Sequence, residues 1–271
     1  MKRIAQATHR LVAGHYGDRI TAGGNDKLGR LAVDFNALAR TLERNEQMRR
    51  SFMADISHEL RTPLAILRAE VEALEDGVRP LSREAVGALL KGIETLGKLV
   101  DDLNELSLAD AGALSYRKSD IDLCAVLRAC LQDFAERLTE HHILADAELP
   151  ETPVIVHADE RRLQQLFNNL LENALRYTDA GGRIQLRLRE RNGQVQIDLQ
   201  DSPPGVPEEA LPHLFERFYR IERSRSRAGG GAGLGLAICR NIIDAHGGSI
   251  GARPSPLGGL WVWLRLPARS P

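Results

Sequence analysis

Residues 51–67, SFMADISHELRTPLAIL, bring a histidine, a carboxylate and a hydroxyl together as His58, Glu59 and Thr62. On a helix of about 3.6 residues per turn, His58 lies about 200° round from both Ile56 and Leu60. It therefore points away from the apolar seam and into solvent, with Thr62 four residues on along the same face. A near-neutral imidazole is a competent nucleophile when one ring nitrogen is bare and the other is held. Glu59 is placed to accept the second N–H. Pro63, one residue past Thr62, removes a backbone hydrogen bond and bends a helix. That cost sits within two turns of the histidine.

A second set of polar residues lies in QQLFNNLLENALRYT. Leu163, Leu166, Leu170 and Ala174 mark a core face. Asn169 and Asn173 share another face, and Arg176 and Tyr177 follow one turn on. Two carboxamides, a cation and a ring form a stripe fit for a magnesium ion, phosphates and a base. In VQIDLQDSPPGVP, Val195, Ile197 and Leu199 alternate inward, and Asp201 continues their phase. A carboxylate on the core side requires a donor. Gly229–Ile238, GGGAGLGLAI, is a glycine loop that opens a helix. Glycine permits close backbone approach, and a helix N-terminus attracts phosphate. The preceding LFERFYRIERSRSRA suggests a lid anchored by Phe215 and Phe218; of Arg220, Arg223, Arg225 and Arg227, most read as solvated and one or two as reaching phosphate.

Together these stretches resemble the sensor histidine kinases of two-component systems. SHELRTPL is similar to the phosphoacceptor box of that family. QQLFNNLLENALRYT resembles its asparagine box. Phe-x-x-Phe followed by Gly-x-Gly-x-Gly resembles its lid and second glycine box. QMRRSFMADISHELRTPLA, QLFNNLLEN and LFERFYR bring the chain nearest to the BaeS-type envelope-stress branch.

The resemblance implies that His58 is phosphorylated, that Glu59 is its base, and that Thr62 orients a water during dephosphorylation of a partner. It implies that Asn173 carries Mg²⁺, that Arg176 meets phosphate, and that Asn169 and Tyr177 line an ATP pocket. The adenine amino group falls to Asp201. Gly205, Arg220, Gly231, Gly233, Leu234 and Gly235 complete the nucleotide-binding set. The family pattern is Asp-x-Gly-x-Gly; here Pro203 stands for the first glycine, and having no N–H it donates nothing.

These residues need elements to hold them. Leu28, Leu31, Phe35, Leu38 and Leu42 alternate spacings of 3 and 4, a heptad seam that is too short to stand alone. Phe52, Ile56, Leu60, Leu64, Leu67, Val71 and Leu74 form a second stripe. Glu75–Ser82 reads as a turn with Ser82 as N-cap. Val86, Leu89, Ile93, Leu96, Val100 and Leu103 form a third. The latter two predict a helical hairpin that dimerises into a four-helix bundle.

Beyond Gly112 the pattern changes to helices interleaved with antiparallel strands, which predicts an α+β sandwich. A helix is expected over 122–139 and another from Asp159 to about Tyr177. A hairpin turns at Asn192–Gly193. The fold class is thus multidomain, a helical bundle plus an α+β ATP-binding domain of the histidine-kinase type. The expected domains are 1–48, resembling a HAMP signal relay that lacks its first residues; 49–112, dimerisation and phosphotransfer; and 118–268, catalysis.

The 271 residues carry a net charge of −1, so no global field points to nucleic acid. Cys124, Cys130 and Cys239 form no CxxC pair and read as buried reduced thiols. No apolar run reaches the ~18 residues that a span requires. The resemblance implies a cytoplasmic fragment of a protein of the bacterial inner membrane, a homodimer whose partner is a response regulator with a receiver domain. Two other classes fit parts of the pattern. An ATPase clamp on a related nucleotide fold needs no phosphohistidine, and a catalytically silent dimeric scaffold binds no ATP.

Overall fold

The computed structural model describes residues 2–21, 27–191, 193–221 and 231–268. The chain divides into two compact units, 1–79 and 80–271.

In the first unit, α1 (Lys2–Val12) leads through a connector to α2 (Lys27–Glu75), a helix of 49 residues that passes residue 48 and Pro63 without a break. Leu11, Phe35 and Ala39 are buried together, with Tyr16, Ile20 and Leu42 packed around them. Asn36 fastens the connector to α2: its Oδ1 accepts from the Ile20 N–H at 2.8 Å, and its Nδ2 donates to the Ile20 carbonyl at 2.8 Å. The expected heptad seam is therefore divided. Phe35 and Leu42 face α1, whereas Leu31 and Leu38 stay exposed, because one helix face cannot meet both α1 and an outside partner. The side chain of Leu28 lies outside the described set.

In the second unit, α3 (Arg83–Asp110) opens on Ser82, whose hydroxyl accepts from the Ala85 N–H at 3.2 Å. Its Leu99, Leu103 and Leu106 are buried, and it packs against α6 (Gly235–Ala245). Val86, Ile93 and Val100 of the predicted stripe remain exposed. Beyond α3 come β1 (Ser119–Asp122), α4 (Leu123–Glu140), β2 (Leu144–Glu148), β3 (Ile155–Ala158) and α5 (Glu160–Tyr177). The chain continues as β4 (Arg183–Arg191), β5 (Gln194–Asp201), a 3₁₀ turn at Glu208–His213, α6, β6 (Ser249–Pro254) and β7 (Leu260–Pro267).

β1 and β3 form a small antiparallel pair. The main sheet has the order β2-β4-β5-β7-β6. It is mixed rather than wholly antiparallel, because β2 runs parallel to β4 (Leu144 opposite Arg183). Leu260, Val262, Leu264 and Leu266 face the core, while Trp261, Trp263 and Arg265 face outward, as alternation requires. α4, α5 and α6 supply the other layer through Leu127, Leu163, Leu166, Phe167, Ile238 and Ile242, all nearly inaccessible. All three cysteines are free and buried. Among the described residues no helix is long and apolar enough to cross a membrane.

Candidate functional site

His58 stands exposed on α2, with Ile56 and Leu60 half-buried on the opposite side. The Thr62 hydroxyl donates to the His58 carbonyl at 3.2 Å, one turn back along the same face. That bond aims the threonine along the histidine's own backbone. Glu59 is half-buried, and its carboxylate makes no hydrogen bond or ion pair among the described residues. The expected Glu59–imidazole contact is therefore not formed here. Adjacent helical positions diverge by about 100°, and a side-chain rotation is needed to join them.

The second constellation gathers around α5. Asp159 caps that helix, its Oδ1 accepting from the Arg162 N–H at 3.2 Å, so the boundary anticipated at Asp159 is real. The capping residue is itself tied down. Its own N–H donates to His246 Nε2 at 2.9 Å, while His246 Nδ1 faces the Ile242 carbonyl at 2.7 Å. These partners require a neutral ring with the proton on Nδ1. Burial lowers the His246 pKa and so favours that form.

Asn169 and Asn173 are half-buried on one face of α5. Among the described residues, Asn168 Oδ1 and Thr178 Oγ1 are buried without a hydrogen-bond partner. The Asn169 side chain is within hydrogen-bonding reach of the buried Cys239 thiol. Arg176 reaches toward the glycine loop: a Cβ on Gly231 would lie 2.7 Å from its Nη1. Gly235, the first residue of α6, faces Asn169 at 3.7 Å by the same measure. Among the described residues no side chain caps α6, and a helix N-terminus of this kind attracts an anion. Leu234 is buried, so it anchors the loop through its side chain.

Asp201 ends β5 and is only 7% exposed. The Leu260 N–H donates to its Oδ1 at 2.5 Å, and Gly259 abuts the same oxygen so closely that a Cβ there would collide. Burial pushes the carboxyl up to about 6, against the opposing pull of that N–H. Pro203 packs on the same turn, its ring at 2.9 Å from where a Gly258 Cβ would be. Gly205 comes within 3.0 Å of the Gly258 carbonyl by that measure. The departure at Pro203 thus serves packing between two loops.

The base of the lid is well defined. The Phe218 N–H donates to the Gly233 carbonyl at 3.0 Å, and both residues adopt positive φ, 60° and 73°. Phe215 is buried beneath Arg240, and Arg220 is half-buried. Tyr177 is 46% exposed, a ring available at the rim. Arg223, Arg225, Arg227, Gly229 and Gly230 lie outside the described residues, as does Asn192.

Two acidic residues, Glu105 and Asp110, join this unit's α3 to the site's supports. Glu105 accepts from Gln165 at 2.6 Å and pairs with Arg162 at 2.8 Å. Arg217, beside the lid base, holds Asp110 with both guanidinium nitrogens, one of them at 2.6 Å. Sequence reasoning did not single out Glu172, Arg137, Thr178 or Gly259. Glu172 lay within the quoted asparagine stretch but on a face that reads as ordinary solvated charge. Arg137 carries no local signal.

Comparison with known proteins agrees with this geometry. Residues 48–112 match the His Kinase A (phospho-acceptor) domain, and residues 158–270 match the histidine kinase-, DNA gyrase B- and HSP90-like ATPase. The chain is 52% identical over 267 residues to the signal transduction histidine-protein kinase BaeS of Escherichia coli (strain K12), covering 98% of this chain and 57% of BaeS. It thus spans little more than half the length of that relative. Acinetobacter baumannii histidine kinase AdeS superposes with a TM-score of 0.67 at 29% identity, over 79% of this chain and 98% of that one. Full-length ShkA in complex with AMPPNP superposes at 0.58 and 28% identity, over 80% and 46%.

Proposed function

Since this chain belongs to the sensor histidine kinases, with a phosphoacceptor domain and a histidine-kinase-type ATPase domain, we propose that it phosphorylates its own His58 from ATP and passes the phosphoryl group to an aspartate on a separate response regulator. Residues 1–48 act as a HAMP-like relay, 49–112 as the dimerising phosphotransfer domain and 118–268 as the catalytic domain. The intact protein is a homodimer anchored in the bacterial inner membrane.

The observation that carries this reading is the polar face of α5 set against the glycine loop. Asn169 lies beside Gly235 and Arg176 beside Gly231, on the helix that also bears Asn173. A glycine at each of these points leaves room for a ligand between helix and loop. Asp201 accepts the adenine amino group, Asn169 and Tyr177 line the pocket, and Gly205 lets the loop approach. Arg176, Arg220 and the turn of Gly231, Gly233, Leu234 and Gly235 receive the phosphates. Asn173 is the residue that would hold Mg²⁺, an ion that neutralises phosphate charge when bound.

A bare imidazole nitrogen of His58 attacks the γ-phosphorus in line. The bond from that phosphorus to the bridging oxygen breaks, and ADP leaves. The proton on the other ring nitrogen passes to Glu59. Positioning and charge neutralisation supply most of the rate. Thr62, on the face of His58, holds the water that hydrolyses the phosphorylated regulator.

The test is incubation with γ-labelled ATP. Label that is lost in acid and kept in alkali, and absent from His58→Gln, is expected. His58→Gln should still bind nucleotide. Equal labelling of the variant would remove His58 from the reaction, and an unlabelled wild type would favour the ATPase-clamp or scaffold alternatives.

A further inference from the structure

Glu172 and Arg176 stand four residues apart on α5, with the glutamate N-terminal, the arrangement in which a carboxylate and a guanidinium ordinarily close on each other. Here the pair stays long: Arg176 Nη2 is 3.6 Å from Glu172 Oε1, within ion-pair range but beyond a hydrogen bond. Both carboxylate oxygens are taken instead by Arg137, from α4. Its Nη1 donates to Oε2 at 2.8 Å and its Nη2 to Oε1 at 3.2 Å. A two-toothed guanidinium–carboxylate fork outcompetes a single long contact. Arg137 is steadied by the ring of Phe134, a buried residue of its own helix, 5.0 Å from the guanidinium carbon. Arg176, left loosely held, lies against Gly231 of the glycine loop.

We infer that Arg137 is a positioning residue of the nucleotide site, which by occupying Glu172 keeps Arg176 free to meet the phosphates at the glycine loop. The inference rests on the reading of Arg176 as a phosphate ligand. Arg137 itself touches no part of the nucleotide set. It acts only through the carboxylate between them.

The logic is a competition among three charges. Without Arg137, Glu172 keeps its charge and loses its partner. A modest rotation then closes the 3.6 Å gap to Arg176 and withdraws the guanidinium from Gly231. Removing the charge of Glu172 as well leaves nothing to capture Arg176. The Glu172 carboxyl is held below the usual carboxylate range, mainly by the Arg137 hydrogen bonds, so it is a full anion at neutral pH.

This yields an asymmetry that a merely structural salt bridge cannot produce. A structural pair loses the same interaction whichever partner is cut. The competition makes one loss harmful and the other harmless. The measurement is calorimetric titration of the full chain with Mg²⁺-AMPPNP and, separately, with adenosine.

Arg137→Ala should raise the Kd for AMPPNP about three- to tenfold, a fraction of a full charged hydrogen bond. Its affinity for adenosine should stay unchanged. Glu172→Gln should bind AMPPNP at least as tightly as wild type, and Arg137→Ala/Glu172→Gln should match Glu172→Gln. Arg137→Lys, which keeps the charge but not the fork, should fall between wild type and Arg137→Ala, and it serves if the alanine variant does not fold. Wild-type affinity in Arg137→Ala, or no rescue by Glu172→Gln, overturns the inference. Arg176→Ala separates it from its premise. If that change leaves AMPPNP binding intact, the phosphate role of Arg176 fails and the inference with it; if it weakens binding while Arg137→Ala does not, only the inference fails.

Discussion

Replacing Asp201 by asparagine should make the catalytic unit more stable and less able to hold nucleotide. The carboxyl is 7% exposed, and its pKa is raised from 3.8 to about 6 by burial. At about 1.36 kcal/mol per pH unit, that gap corresponds to about 3 kcal/mol. The sign follows from linkage. Below pH 4 the group is protonated in both folded and unfolded chains and costs nothing. Between about 4 and 6 the unfolded chain ionises first, so folding stability falls, and above 6 the full penalty persists. Asparagine has no such penalty, and its Oδ1 still accepts from the Leu260 N–H. The advantage of Asp201→Asn should therefore be near zero at pH 4 and about 3 kcal/mol at pH 7.5. For a domain of this size that is a rise in Tm of about 6–12 °C. Over the same substitution, AMPPNP affinity should drop about tenfold to a hundredfold, as expected for a lost hydrogen bond to a charged group. Thermal melts at several pH values and calorimetry on the same samples test both halves. A stability difference that is flat with pH, or an asparagine variant less stable at pH 7.5, would falsify the assignment of Asp201 as a buried carboxylate held for a ligand.

Ile93→Glu places a charge on the exposed stripe of α3, where Ile93 is 58% exposed. It should shift the chain from dimer to monomer in sedimentation at micromolar concentration with little change in the melting of the catalytic unit, and an unchanged dimer would put the interface elsewhere. Thr62→Ala should keep autophosphorylation and lose release of phosphate from a phosphorylated regulator, while Glu59→Ala should lose autophosphorylation first. A Thr62→Ala protein that dephosphorylates as fast as wild type would reassign the water. Leu106→Ala, at a fully buried position, should destabilise the packing of α3 by about 2–5 kcal/mol in urea melts, and a cost below about 1 kcal/mol would mean that the helix is only loosely held.

The helices of the site were legible because their signals are local. The cap at Asp159, the four-residue spacing of Asn169 and Asn173 and the inward phase of Asp201 all appear where periodicity required them. β2, with the sequence LADAE, was not legible: all five residues are exposed, so no apolar alternation marks it, and its partner is a parallel strand reached only after β3 and α5. β6 was hidden by its glycine and terminal proline, although Gly251 is what admits the Trp263 ring against the sheet. The heptad over 28–42 reads as one seam because the sequence alone does not reveal that α1 folds back to claim Phe35. Pro63 signals a bend, and α2 is continuous across it. The Arg137–Glu172 fork joins residues 35 apart on different helices, a distance at which no spacing rule operates.

α3 carries two apolar faces about 100° apart at about 3.6 residues per turn. Val86, Ile93 and Val100 look outward, whereas Leu99, Leu103 and Leu106 are sunk in the catalytic unit beside α6. A helix meshed in this way is a gear rather than a strut. A turn about its axis would find no free surface at Leu106 in which to slip. It would press on α6, and so on the glycine loop from which α6 starts, with Arg217 gripping Asp110 at the rim. A signal arriving as rotation of α3 would be felt as a displacement of that loop's backbone.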